Sequence, residues 1–251
     1  MRKHTLVSID LSLGSYTNFV DRIISLTSKD KCSEYICVAN VHMLVETYRN
    51  QAFAKAVNNS IITTPDGVPL TWGLKWLHGI RQERVSGMDL LPDLLSMASQ
   101  HKIPIFFYGG TEEMLTQTRD HVAKFYSGIP FAGTYSPPFR VLTPDEEQKV
   151  ISSINTSGAK IVFVSLGCPK QERWMAAMKD KINAVMVGIG AALPVLVGEQ
   201  TRAPRWMQKS GLEWSYRLFK EPKRLFKRYL ITNSIFLYVL IKEKIWKKYE
   251  L

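Results

Sequence analysis

Cysteine is scarce in this chain, and the three residues present, Cys32, Cys37 and Cys168, are scattered along it. Their odd number excludes a complete disulfide framework, and none of the spacings matches that of a metal site. We therefore expect reduced thiols in a cytoplasmic protein, each buried in a structural role.

The signatures of several enzyme classes are also missing. The sequence has no His-x-x-x-His pair, no Cys-x-x-Cys and no Asp-x-Asp that could hold a divalent ion between phosphates. It has no Gly-x-Ser-x-Gly nucleophile elbow, no phosphate-binding loop with its Lys-Ser/Thr, and no complete dinucleotide fingerprint. These absences count against metal-dependent and serine-hydrolase chemistry.

Long apolar runs are absent as well. The amino terminus starts with basic residues, but polar residues interrupt the apolar run that follows after a few positions, so the sequence predicts no signal peptide. The apolar stretch YLITNSIFLYVLI (229–241) is shorter than the roughly 20 residues that cross a bilayer, and it contains Thr232-Asn233-Ser234. We predict no membrane span there.

Positive charge is present in excess, and it is concentrated at one end of the chain. The formal net charge is +11, from 33 Lys and Arg against 22 Asp and Glu. Residues 202–251 alone hold 13 basic and 4 acidic residues, whereas residues 1–201 are nearly balanced. We therefore predict a body (1–201) with a basic appendage (202–251), which favours a locally anionic partner over a general nucleic-acid binder.

Short apolar or β-branched runs alternate with stretches of helical spacing along the body. The predicted strands are LVSID (6–10), YICVAN (35–40), SIITTPD (60–66), IPIFFYGG (103–110), PFAGTYS (130–136), KIVFVSLG (160–167) and AVMVGIG (184–190). The predicted helices lie within 18–29, 43–57, 88–100, 114–126 and 144–157, the last starting with Thr143 as N-cap and Pro144 at the first position. This pattern predicts an α/β fold with a mainly parallel sheet covered by helices on both faces.

The appendage is basic, aromatic and helical in pattern, with interruptions at Gly211 and Pro222. Apolar residues, Trp and Tyr flanked by Lys and Arg are typical of a helix that lies in the membrane interface. The alternative is a terminal helix that packs on the body and exposes a basic face to solvent. Charge localisation and aromatic content together favour the membrane surface.

The stretch IITTPDGVPLTWG (61–73) places a carboxylate, Asp66, between a predicted strand and a predicted helix. Asp66-Gly67 has the composition of a turn in which glycine takes a positive φ. Alternatively, Asp66 lies at the carboxyl end of a sheet strand, where open α/β folds bind ligands.

Other predicted strands are also followed by polar residues or glycines. In VSLGCPKQERWM, Gly167 permits a tight turn, Pro169 suits the first helical position, and Lys170 and Gln171 follow at a helix start that could seat a diphosphate. An ordinary strand–loop–helix junction remains the alternative. Glycines that let a ligand approach the backbone follow two more strands, and a histidine follows another: Gly188, Gly190, Gly109, Gly110 and His42.

Four blocks carry a resemblance to a known family: TPDGVPLTWGLKWLHG, ERVSGMDLLPDL, FVSLGCPKQERWM and GIGAALPVLVGEQTRAPRWMQKSGLEWSYRLFKEPKRLFKRYL. In this order they resemble the WecG/TagA/CpsF glycosyltransferases over about residues 38–230. The resemblance implies a Rossmann-like, inverting transferase that needs no metal or cofactor. Its substrates would be a nucleotide-activated sugar such as a UDP-sugar and a saccharide linked to undecaprenyl diphosphate.

The resemblance also implies roles for particular residues. Asp66 matches the catalytic carboxylate, expected to act as the general base on the acceptor hydroxyl. Arg84 matches a family position in the crevice and is expected to be the second catalytic residue, and Gln171 matches another crevice position. The nucleotide-sugar site expected from the strand ends also includes Asn40, Gly109, Gly110, Gly167, Lys170, Gly188 and Gly190. Arg217, Arg224 and Arg228 match cations of the membrane-binding segment that would hold diphosphates, on one helical face if Pro222 leaves the helix intact.

Several presumed pocket positions depart from the family pattern, so the sequence leaves the donor sugar open. They are Val38, Val41, His42, Pro69 and Leu193-Pro194. N-acetylmannosamine, a uronic acid, glucose and other hexoses all remain options for the donor sugar. The sequence also leaves open whether the chain self-associates. Two other classes are kept: a non-catalytic module that binds nucleotide sugars, and a nucleic-acid binder, against which the near-neutral body counts.

Overall fold

Strands and helices alternate along the computed structural model, which describes residues 1–249. The strands are β1 Lys3–Leu6, β2 Ile9–Ser12, β3 Glu34–Ala39, β4 Ile62–Pro65, β5 Ile105–Tyr108, β6 Phe131–Tyr135, β7 Ile161–Val164 and β8 Val185–Gly188. The helices are α1 Tyr16–Thr27, α2 Val41–Arg49, α3 Gln51–Asn58, α4 Val68–His78, α5 Gly87–His101, α6 Glu112–Phe125, α7 Pro144–Thr156, α8 Lys170–Met178, α9 Ala192–Leu196, α10 Arg205–Lys209, α11 Glu213–Lys220 and α12 Pro222–Tyr249.

Six strands form one parallel sheet in the order β4-β3-β8-β7-β5-β6. Neighbouring residues of β7 point into different cores: Val162 and Val164 into one, Ile161 and Phe163 into the other. Because successive side chains of a strand face opposite sides, these two cores cover the two faces of the sheet. The predicted Rossmann-like α/β fold with helices on both faces is confirmed.

The first predicted strand, 6–10, is wrong as a single element. The chain turns at Val7, which has φ of 60°, and the Ser8 amide donates to the Leu6 carbonyl at 2.8 Å. β1 and β2 therefore pair as an antiparallel hairpin. Ser8 is the one turn-favouring residue here, and the β-branched Val7 rarely adopts a positive φ, so local composition gave only a weak sign of the turn.

The helix predicted over 43–57 is two helices. Asn50 ends α2 and caps α3, and its Oδ1 accepts from the Phe53 amide at 2.8 Å. Asparagine competes with the helical backbone in this way, so it interrupts a pattern whose apolar spacing continues. By contrast, the predicted start of α7 is confirmed, with Thr143 in a capping box and Pro144 in the first turn.

The appendage forms α10, α11 and α12. Pro222 separates α11 from α12, so the condition for one shared helical face is not met: Arg217 belongs to α11, and Arg224 and Arg228 belong to α12. A proline lacks the amide hydrogen and clashes with the preceding turn, but it is accepted at a helix start. The division into a body and an appendage stays a prediction.

Helix α12 lies against the body. It contacts α2 and α4, and the side chains of its inner face are almost completely buried. These are Leu225, Phe236, Val239 and Leu240. Gly73 of α4 lies at this contact, since a Cβ there would lie 3.4 Å from Leu240 Cδ2 and 3.2 Å from Leu6 Cδ2. No helix within residues 1–249 is long and apolar enough to cross a membrane.

The cysteines are free thiols, as predicted. Cys32 and Cys37 are buried, but Cys168 is only partly buried, so the expectation of burial is wrong for this one. Cys168 lies in the loop after β7, beyond the fully covered strand.

Candidate active site

The residues that follow the parallel strands lie together along one edge of the sheet, called here the carboxyl edge. Because β4 and β3 are neighbours, Asp66 lies beside Asn40, and the Asp66 amide donates to the Ala39 carbonyl at 2.8 Å. Further along, Ser165 Oγ donates to the Gly190 carbonyl at 2.9 Å. Ligands of open α/β folds bind at this edge.

The local sequence explains how Asp66 reaches its position. β4 ends at Pro65, whose carbonyl accepts from the Val85 amide at 3.0 Å. Gly67 is the N-cap of α4 with φ of −84°, so the interpretation as a turn with positive φ is wrong. Pro69 fits the first turn of α4 because that turn leaves its amides without helical partners.

Arg84 is the basic residue next to Asp66. Its Nε donates to the Asp66 carbonyl at 2.7 Å, and its Nη2 lies 3.8 Å from Asp66 Oδ1. The same Nη2 donates to Glu213 Oε2 at 2.6 Å, and Nη1 donates to the Gln208 carbonyl at 3.4 Å. Arg84 thus connects the end of β4 to the appendage.

Sequence reasoning missed Glu213. The residue lies in the segment KSGLEWSYRLFKEPKRLFKRYL of the last quoted block, where basic residues outnumber acidic ones and indicate a site made of cations. Its side chain is 15% exposed, and it opens α11. A glutamate in the first turn of a helix is also favoured by the helix dipole, so its position alone did not indicate a site.

Asp66 has an unusual proton affinity. Burial raises the pKa of its carboxyl to about 6; the nearby Arg84 opposes this shift, and the Glu213 carboxylate adds to it. The side chain still keeps 29% of its surface open to solvent. Asp66 is therefore reachable, and it can change protonation near neutral pH.

More charged side chains lie around Asp66 and Arg84. Arg217 Nη2 lies 3.7 Å from Met88 Sδ, and its charge acts to lower the pKa of Asp66. Arg202 Nη1 lies 2.7 Å from Asp89 Oδ1, whereas its buried Nε and Nη2 have no hydrogen-bond partner among the described residues. Of the three predicted diphosphate-binding arginines, Arg217 is the one that lies near Asp66.

The other two arginines lie elsewhere. Arg224 is 61% exposed in its side chain and pairs with Glu221 of the same segment. Arg228 lies beside His42 and lowers the pKa of that imidazole, an effect second to burial. His42 Nδ1 is buried without a hydrogen-bond partner among residues 1–249. The structure thus brings His42 towards the appendage.

The polar residues predicted near a nucleotide sugar differ in exposure. Asn40 caps α2, with its Oδ1 accepting from the Met43 amide at 3.1 Å. Lys170 is exposed at the start of α8, and Pro169 is the N-cap of that helix, not its first helical residue as predicted. Gln171 is only 4% exposed.

Gln171 belongs to a buried polar group that sequence reasoning did not find. Its Nε2 donates to Glu172 Oε1 at 2.7 Å, and Glu172 is fully buried. Burial raises the pKa of the Glu172 carboxyl, and burial likewise raises the pKa of the adjacent Cys168 thiol. The helical spacing PKQERWM gave no indication of which of these polar residues faces inward.

The glycines also differ in what lies next to them. A Cβ at Gly109, which has φ of +102°, would lie 2.6 Å from the Ser165 carbonyl oxygen, and a Cβ at Gly188 would lie 2.9 Å from Gln171 Nε2. At Gly109 and Gly188, therefore, the space beside the backbone is taken by other atoms of the protein. Gly167 has open space, and Gly110 and Gly190 have looser contacts. In residues 1–249, no group of three or more His, Cys, Asp or Glu is placed to hold a metal ion.

Comparison with known proteins gives the class. The sequence model of the family described as "Glycosyl transferase WecG/TagA/CpsF family" matches residues 4–250 of this chain. The chain therefore belongs to this family, and it is a glycosyltransferase.

Two relatives with an assigned reaction cover most of the chain. The N-acetylglucosaminyldiphosphoundecaprenol N-acetyl-beta-D-mannosaminyltransferase of Bacillus spizizenii is 29% identical over 225 residues, which is 89% of this chain and 86% of the relative. The protein of the same name from Bacillus subtilis is 28% identical over 245 residues, or 97% and 93%. By their names, both transfer N-acetylmannosamine to a lipid-linked N-acetylglucosamine.

Proposed function

We propose that this protein transfers a sugar from a UDP-sugar to a saccharide linked to polyprenyl diphosphate, with inversion and without a required metal. The observation that carries the proposal is Asp66, a solvent-reachable carboxyl with a pKa of about 6 at the carboxyl edge. A residue with this proton affinity suits general-base catalysis near neutral pH.

In the proposed reaction, the acceptor hydroxyl attacks the anomeric carbon of the donor from the side opposite the leaving group. Asp66 takes the hydroxyl proton while the new glycosidic bond forms. The bond between the anomeric carbon and the diphosphate oxygen breaks, and the nucleoside diphosphate leaves with that electron pair. This single displacement inverts the anomeric configuration.

Cations near Asp66 would stabilise the negative charge that develops on the leaving diphosphate. Arg217 supports this role best, because the structure places it near both Asp66 and Met88. Arg84 is already bonded to Glu213 at 2.6 Å, so we assign it to positioning Asp66. The acceptor's own diphosphate is left to Arg224 and Arg228, which lie further along the appendage.

The acceptor is lipid-linked in both relatives, and we propose the same class here. We extend this to peripheral attachment on the anionic inner face of the cell membrane. The support is a set of exposed aromatic and apolar side chains on α4 and α12, called here the aromatic surface: Trp72, Trp76, Leu237, Tyr238, Ile241, Ile245 and Trp246. Lys244 joins the two helices, with its Nζ 3.0 Å from the Trp76 carbonyl oxygen.

The test is release of nucleoside diphosphate by the purified full chain in detergent. A panel of UDP-sugars, beginning with UDP-N-acetylmannosamine, is combined with a synthetic lipid-diphosphate N-acetylglucosamine. We expect release with one donor and only when acceptor is present. Donor binding without release, across acceptors of different length, would instead support the non-catalytic nucleotide-sugar-binding module.

A further inference from the structure

The appendage places a carboxylate, and not only cations, against the carboxyl edge. Glu213 Oε2 accepts from Arg84 Nη2 at 2.6 Å, whereas Asp66 Oδ1 lies 3.8 Å from the same nitrogen. The first distance is that of a charge-assisted hydrogen bond, and the second is too long for a hydrogen bond. Arg84 therefore has its stronger ionic contact with Glu213.

Two backbone carbonyls also accept hydrogen bonds from the Arg84 guanidinium. Nε donates to the Asp66 carbonyl at 2.7 Å, and Nη1 donates to the Gln208 carbonyl at 3.4 Å. The Nε contact anchors one side of the guanidinium, but the 3.4 Å contact of Nη1 is long, so the short bond to the Glu213 carboxylate decides where Nη2 points. Without the Glu213 carboxylate, the free Nη2 would have the Asp66 carboxylate as its nearest anionic partner.

We propose that Glu213 is a positioning residue that holds the Arg84 guanidinium away from the Asp66 carboxylate, so that docking of α11 leaves Asp66 free to take the acceptor proton. The inference rests on the proposed role of Asp66 as general base. The appendage thus contributes the Glu213 carboxylate to the site. When α11 is displaced, Arg84 pairs with Asp66, and Asp66 becomes a weaker base.

The charged groups that face Asp66 come from four parts of the chain. They are Arg84 from the segment between α4 and α5, Asp89 from α5, Arg202 from the segment before α10, and Glu213 and Arg217 from α11. The arginines favour ionised Asp66 and the carboxylates disfavour it. Glu213 differs from Asp89 because it also bonds Arg84, the cation nearest Asp66. Removing its charge therefore lowers the pKa of Asp66 in two ways, by the loss of a negative neighbour and by the release of Arg84.

Glu213→Gln tests this coupling, since it keeps the shape of the side chain and removes its charge. The Asp66 carboxyl is titrated by ¹³C NMR without substrate, with the signal assigned from Asp66→Asn. We expect the midpoint to fall by about one pH unit, because a negative neighbour is lost and Arg84 can turn towards Asp66. The acid limb of the kcat profile should move to lower pH by the same amount, and kcat on the plateau should fall because the base is weaker.

Glu199→Gln is the matched control, because it removes one negative charge from an exposed position preceding the appendage. Its Asp66 midpoint should equal that of the unmodified protein. Glu213→Asp keeps the charge on a shorter side chain, so it should give an intermediate midpoint. It also serves if Glu213→Gln proves too unstable, which thermal unfolding would reveal.

Two results would overturn the inference. One is an unmoved Asp66 midpoint in folded Glu213→Gln, and the other is reduced kcat with an unchanged pH profile, which would mean that Glu213 only supports the structure. Failure of the proposed function is a separate result: no donor would release nucleotide with the unmodified protein, while the NMR titration would still report on the coupling.

Discussion

A general base must be ionised before the reaction and must hold the proton afterwards, and Asp66 meets both conditions near neutral pH. Asp66→Asn removes the proposed base but keeps the size of the side chain. We expect kcat to fall by about 10²–10⁴-fold, with donor affinity by calorimetry little changed. Asp120→Asn on the exposed face of α6 is the control and should keep normal turnover. Near-normal release of nucleotide by Asp66→Asn would refute the assignment.

The raised pKa of Asp66 also predicts how stability depends on pH. The folded pKa of about 6 lies above the usual value for an aspartate of about 4, so the folded state binds the proton more tightly than the unfolded state. This contribution to stability is full below about pH 4 and is lost as the pH rises through about 6. The Tm of Asp66→Asn minus the Tm of the unmodified protein should therefore be larger at pH 8 than at pH 4.5. Scanning calorimetry at both values measures this, and an equal difference at both would contradict it.

At the scale of elements, the buried inner face of α12 should carry most of its attachment to the body. Leu240 is 5% exposed and lies against Gly73 of α4, whereas Leu237 on the outer face is 58% exposed. Leu240→Ala should cost about 2–5 kcal/mol in the free energy of unfolding, and Leu237→Ala about 0.5 kcal/mol or less. Urea unfolding compares them; equal losses would show that α12 is not held by this face.

Elements were predictable where the signal was local. The start of α7 was found because Thr143 and Pro144 act within one turn. Asn50 was missed because its neighbours continue the apolar spacing, whereas its extended backbone and the bond from the Phe53 amide show that α2 ends there. Pro222 was recognised as an interruption, yet whether it would end a helix or begin one depended on how α11 and α12 pack.

At the scale of the whole molecule, the aromatic surface combines parts of the chain that are distant in sequence. Trp72 and Trp76 are exposed on α4, and Lys244 of α12 has its Nζ 5.8 Å from the Trp76 ring centroid. Exposed tryptophans next to lysines suit an anionic membrane interface. Replacing Trp72 and Trp76 by Ser should weaken binding to phosphatidylglycerol vesicles by roughly tenfold or more.

Vesicle sedimentation measures that change, with phosphatidylcholine vesicles as the uncharged comparison and Phe125→Ser as the control. Phe125 is 60% exposed but ends α6, in an element outside the aromatic surface. Added salt should weaken binding of the unmodified protein, because screening reduces the attraction between lysines and lipid headgroups. Unchanged binding of the double variant would remove α4 from the membrane surface.

The sequence by itself determined the alternation of strands and helices, the position of Asp66 at a strand end and the concentration of charge in the appendage, because these depend on local spacing and composition. It also carried the motifs by which the family is recognised. Only the tertiary structure decided that Glu213 bonds Arg84, that Gln171 and Glu172 are buried, and that Arg217 lies nearer Asp66 than Arg224 or Arg228 does. Such contacts join residues up to 129 positions apart. They are fixed by how helices pack on the sheet, which the local pattern does not specify.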